Sequence, residues 1–151
     1  MSTVKDRLTA DMRAALKARD ELTTSTLRMA LAAIGTAEVA GKTKRELSDE
    51  EVLSVLTKEA KKRREAAEAF AEAGRVDQAA KERAEGEVLD RYLPRQLDDA
   101  ALAEIVGAAL AEGGFSGKAQ MGPAMKAAQA AVAGRAEGGR VAAEVRRQLD
   151  R

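Results

Sequence analysis

Only three of the 151 side chains are aromatic: two phenylalanines, one tyrosine and no tryptophan. A β-sandwich or barrel draws on aromatic and β-branched residues to cover its sheets. Alanine, leucine, glutamate, lysine and arginine dominate here instead, and all are good helix formers. The expected fold class is therefore all-α. Its core has to come from leucine, valine, isoleucine, methionine and alanine. Alanine-rich helices approach closely but each buries little apolar area, so stability rests on many helices packing together. The length suits one full domain, or a helical domain with a small second one.

Apolar spacing gives the elements. Val4, Leu8, Met12 and Ala15 recur at helical period after Thr3, a suitable N-cap, and this helix is expected to end near Arg19. A second helix starts around Asp20 and runs to about Val39, burying Leu27, Ala30, Leu31 and Ile34; a polar, basic connection from Gly41 follows. The third helix has the clearest start, because Ser48 and Glu51 form a capping box and three consecutive acids suit the positive end of the helix dipole. Val52, Leu56, Ala60, Ala67 and Phe70 make its stripe, and Gly74 stops it. Arg63 falls inside that stripe. It is either a buried ion-pair partner or, the expected case, a packed stem with its head turned out to water. A fourth helix spans about 76–93, where Pro94 disfavours helical backbone at Leu93.

Residues 92–97 read as a junction, and beyond it the helices shorten. Asp98 caps one carrying Leu102, Ile105, Val106, Ala109 and Leu110, stopped by Gly113 and Gly114. Met121, Met125, Ala128 and Val132 make the next, with Pro123 in its first turn and Gly134 at its end. Val141, Val145 and Leu149 give the last. The expected architecture is an N-terminal four-helix region, residues 1–96, followed by a small three-helix domain, residues 97–151.

Missing residue types narrow the chemistry. There is no cysteine, hence no disulfide framework, thiol chemistry or cysteine metal site. There is no histidine, so Ser-His-Asp and Cys-His catalysis are excluded. No Gly-x-x-x-x-Gly-Lys-Ser/Thr loop to cradle phosphates occurs. Ser48 and Ser116 read as helix N-caps, and Ser25 has no lysine beside it. No catalytic residue, cofactor or metal is expected. The first twenty residues carry charge throughout and no apolar run approaches a membrane span, so the expected location is the cytoplasm, with no membrane partner.

Net charge is +1, but residues 113–151 hold seven basic side chains against three acidic ones. That tail is a candidate anion-binding surface, or a soluble helical face of mixed charge. The basic run at residues 61–64 is most economically a solvent face laced by the i, i+4 pairs Glu59–Arg63, Lys61–Glu65 and Arg64–Glu68.

The order of features resembles the GatB/YqeY family. The matching stretches are residues 27–34 (LRMALAAI), 46–52 (ELSDEEV), 58–65 (KEAKKRRE), 70–75 (FAEAGR), 92–97 (YLPRQL), Met121-Gly122, and 134–138 (GRAEG) followed by Arg140. They span nearly the whole chain in the family's order. The chain departs from the pattern at Glu137, where aspartate is usual, and at Pro123 and the extra Gly139. The resemblance implies an N-terminal four-helix region joined to a small C-terminal domain like the tail of GatB. GatB is a subunit of the amidotransferase that converts misacylated Glu-tRNA to Gln-tRNA, and its tail contacts tRNA. The implied function is a tRNA-associated accessory module without catalysis of its own. The alternatives are an amidotransferase-like carbon–nitrogen ligase with glutamine as amido-N-donor, and a protein-interaction adaptor. Implied partners are tRNA and subunits of an aminoacylation or amidotransferase complex.

Within that reading, residues 134–140 offer backbone amides beside two guanidiniums, and arginine's planar fork suits phosphate. The expected RNA-binding residues are Gly134, Arg135, Gly138, Gly139 and Arg140, extended by Arg146, Arg147, Lys118 and Lys126. A helix starting near Gly138 adds its positive end. The plainer alternative is a glycine turn in which Glu137 satisfies Arg140. With so few aromatics for base stacking, folded RNA read by shape and phosphate fits better than single strands.

Overall fold

A computed structural model describes residues 3–150. Among these residues the chain forms seven α-helices and no strand: α1 (Val4–Lys17), α2 (Glu21–Glu38), α3 (Asp49–Glu72), α4 (Val76–Asp90), α5 (Asp99–Gly113), α6 (Met121–Val132) and α7 (Gly138–Leu149), with a 3-10 turn at Lys118–Gln120. The chain divides into two compact units, Met1–Leu93 and Pro94–Arg151.

Local chemistry explains most boundaries in the first unit. Thr3 caps α1, accepting from the Asp6 amide at 3.0 Å while the Asp6 carboxylate accepts from the Thr3 amide at 3.2 Å. Asp20 caps α2 through the Thr23 amide. Ser48 and Glu51 form the expected box at the start of α3. Gly74 (φ 76°) takes the left-handed conformation that lets α3 stop and α4 begin two residues later. α4 ends at Asp90, three residues before the expected Leu93. Tyr92 and Leu93 instead donate to Leu89 and Asp90 in tighter i→i−3 bonds, as the chain prepares for Pro94.

Leu8, Leu27, Ala30, Ile34, Val52, Leu56, Ala60, Val88 and Leu89 make this unit's buried cluster. Beside it Lys5 reaches the buried Glu38 at 2.9 and 3.0 Å. Arg63 corrects the expectation of a solvent-seeking head group. Its side chain is 11% exposed and pairs with Glu59 at 3.0 Å and with Glu85 at 3.5 Å. Glu85 comes from α4, which packs against this part of α3 and leaves the guanidinium little access to water. The Tyr92 hydroxyl donates to Asp11, and the Arg7 guanidinium lies 5.4 Å from the tyrosine ring centre. Burial, reinforced by the Asp11 carboxylate, pushes the phenol above its ordinary range.

The box at Ser48 carries a pH signature. Glu51 accepts from both Arg45 guanidinium nitrogens and from the Ser48 amide, and these bonds hold its carboxyl down from 4.5 to about 2. A carboxyl lowered in the folded state stabilises fully above its unfolded value and loses that contribution as pH falls through the folded one. In urea titrations the stability advantage of the native chain over Glu51→Gln is therefore expected to shrink between pH 4.5 and about 2. A difference that stays constant over that window would mean the carboxylate's charge is not what secures the cap.

In the second unit, Asp98 caps α5 through the Ala101 amide at 2.8 Å. Gly114 (φ 70°) ends it, and the turn after α6 is left-handed at both Ala133 (φ 52°) and Gly134 (φ 78°). Pro123 is the third residue of α6, where its missing amide proton costs nothing. Ser116 is not the cap expected of it. Gly117 begins the 3-10 turn with no side-chain cap, and the Ser116 amide donates to Gln120 instead. Leu102, Val106, Leu110, Ala124, Ala128, Val132, Ala136, Val141, Val145 and Leu149 form a separate buried cluster.

Candidate nucleic-acid interface

The expected interface begins at the turn between α6 and α7. Gly134 lets the chain reverse, and the turn is then pinned from several sides. The Leu97 amide donates to the Arg135 carbonyl at 2.7 Å, and the Gln96 side-chain amide donates to the Gly134 carbonyl at 3.4 Å. The Gln129 side-chain amide donates to the Gly138 carbonyl at 3.3 Å. Residues 92–97 and 134–138, quoted above as separate stretches, thus meet through Gln96, Leu97, Gly134 and Arg135.

The two guanidiniums of the turn are partly engaged. Arg135 folds back on α6, donating from Nε to the Val132 carbonyl at 3.0 Å and from Nη2 to that of Ala131 at 3.1 Å. It satisfies carbonyls that the end of a helix otherwise leaves open. Arg140 donates from Nη2 to Asp99 at 3.0 Å, and its side chain remains 35% exposed. Asp99 lies on the first turn of α5, so the fold brings a carboxylate to the turn from forty-one residues away. No side chain caps α7, where Gly138 and Gly139 are exposed. Its positive end therefore faces solvent beside Arg140.

The other expected residues are spread out. Arg147 is paired with Glu144, which raises its pKa further, whereas Arg146 is exposed and makes no ion pair among the described residues. Lys118 pairs at 3.1 Å with Asp150, about 15 Å along α7 from Arg140 at the helical rise per residue. Lys126 is exposed on the side of α6 opposite the buried row Ala124, Ala128 and Val132. The fold brings Gly134, Arg135, Gly138, Gly139 and Arg140 together at the turn; Arg146 and Arg147 lie at the far end of α7, where the ion pair with Asp150 also brings Lys118, and Lys126 stands on the exposed side of α6. Asp99 is the neighbour that sequence spacing did not find; its own signal was only that of a first-turn acid on α5.

Other chemistry finds little support in the geometry. The Ser25 hydroxyl donates to the Leu22 carbonyl, and those of Thr24 and Thr26 donate to the carbonyls of Asp20 and Leu22. Among the described residues, no cluster of acids is placed to hold a metal ion, and no helix is long and apolar enough to cross a membrane.

A comparison with curated proteins finds no match. The family model described as Yqey-like protein matches residues 5–149, nearly the whole chain and both of its compact units. The chain belongs to the YqeY-like protein family.

Proposed function

We propose that this protein is a tRNA-associated accessory module, without catalysis of its own, acting in the cytoplasm beside an aminoacylation or amidotransferase complex. In this reading residues 1–96 form a four-helix region and residues 97–151 a three-helix domain like the tail of GatB. The observation that carries the reading is the uncapped start of α7, where exposed glycines stand beside the half-exposed Arg140. Backbone amides at a helix start and an adjacent guanidinium are a phosphate-binding combination. Arg146 and Arg147 extend it along the helix. Asp99 lowers the local charge, so the contact has to compete with an existing ion pair and is expected to be salt-sensitive and modest.

Purified, RNase-treated protein titrated against total tRNA and against a non-tRNA RNA of equal length, at two salt concentrations, tests this. Preferential binding to tRNA that falls with salt is expected. Arg140→Ala with Arg146→Ala should weaken it about tenfold or more at unchanged helicity, since two phosphate contacts are lost. Arg135 is left intact because its side chain closes α6. Equal affinity in the double variant would remove the site, and no preference for tRNA would remove the function.

A further inference from the structure

Two rows of residues with the same spacing face each other on the first unit. Ala33, Thr36, Ala37 and Ala40 stand at i, i+3, i+4 and i+7 on α2 and just past its end. Val55, Lys58, Glu59 and Lys62 repeat that spacing on α3, and the two rows line one open trough. Seven residues of rise give it a length of about 10 Å, two helical turns. Small apolar side chains on its floor allow a further helix to approach closely.

The rim of the trough is cationic. Lys58 is exposed and Lys62 is 69% exposed. The acid between them, Glu59, is only 16% exposed, and Arg63 at 3.0 Å and Lys62 at 3.5 Å already answer its charge. Past Ala40 the connecting loop adds exposed Lys42 and Lys44, while Arg45 is taken by Glu51. Val39, an apolar side chain left 56% exposed, stands next to the trough's end.

We infer that this trough docks an acidic amphipathic helix of a partner protein. A helix with small or aliphatic residues at i, i+3, i+4 and i+7 matches the floor, and carboxylates on its flanks match the lysine rim. A nucleic-acid backbone would use the charge and leave the alanine and valine floor unused. The rim is also built from lysine, a point charge on a flexible stem, rather than from arginine's bidentate fork. This surface is separate in sequence from the α6–α7 turn, and its test does not depend on RNA binding there.

The probe is a fluorescein-labelled peptide of about 18 residues, long enough for some helix, with leucine or alanine on one i, i+3, i+4, i+7 stripe and glutamate elsewhere. Fluorescence anisotropy follows its binding to the full chain. Saturable, salt-sensitive binding is expected, and Lys58→Glu with Lys62→Glu should weaken it at least about tenfold. Ala37→Gln, which fills the floor without changing charge, should weaken it comparably, with circular dichroism confirming intact helices. The inference is overturned if the acidic peptide does not saturate, if the same peptide with lysine for glutamate binds equally well, or if either variant binds undiminished. Displacement by an RNA hairpin more effective than by unlabelled peptide would also overturn it, by giving the lysines to nucleic acid.

Discussion

Arg63→Met is expected to lower the stability of the first unit by about 3 kcal/mol, the cost typical of stranding one member of a buried ion pair. The arginine is 11% exposed and Glu85, which it meets at 3.5 Å, is 8% exposed. Glu59 keeps Lys62 as a second partner at 3.5 Å, so Glu85 is the group left most exposed to the loss. Its carboxylate must then stay charged with little access to water or take up a proton, and both options cost stability. The pair is itself imperfect, since the Arg63 Nε is buried without a hydrogen bond. Replacing both ends, Arg63→Met with Glu85→Met, should therefore restore most of the loss or exceed the native stability. Urea midpoints followed by circular dichroism and by Tyr92 fluorescence decide it. A double variant as unstable as the single would place the effect in packing of the arginine stem rather than in charge.

This cluster shows where a sequence stops being readable. Helix starts and stops depend on residues three or four positions apart. Ser48 with Glu51, Asp98 with the Ala101 amide, and the left-handed Gly74 and Gly134 could accordingly be placed from spacing alone. What Arg63 faces is decided by Glu85 of α4, twenty-two residues on. Its i+4 relation to Glu59 was visible, but not that the pair would be covered.

The candidate site behaves the same way. The glycines and arginines of residues 134–140 are conspicuous, and their clustering in one turn follows from adjacency. Charge type, however, says nothing about which groups are already engaged. Arg135 turns back to close α6, Arg140 meets Asp99, and Lys118 meets Asp150. The Arg135 contact is local, three and four residues back along α6, whereas the partners of Arg140 and Lys118 are brought in by other helices of the second unit. Counting bases in residues 113–151 therefore identifies a basic segment without showing which of its charges are already engaged.

The second unit offers the other large expected effect. Leu102→Ala removes a side chain that is 3% exposed, and truncations of this kind cost about 2–5 kcal/mol because the cavity only partly collapses. A helical unit this small, whose buried cluster contains only three leucines amid valine and alanine, holds about 3–5 kcal/mol in all. The substitution should thus leave residues 94–151 largely unfolded at room temperature. The molecule supplies its own means of seeing this. Tyr92 is the chain's one tyrosine, there is no tryptophan, and its hydroxyl and ring interact with Asp11 and Arg7 of α1. Tyrosine fluorescence consequently reports the first unit, while far-ultraviolet circular dichroism reports every helix. The variant should lose roughly a third of its helical signal before urea is added, the share contributed by α5, α6 and α7. The Tyr92 transition should keep its native midpoint. That result would make each buried cluster the core of an independently stable unit, and a matching shift in the Tyr92 midpoint would show instead that the two clusters unfold as one.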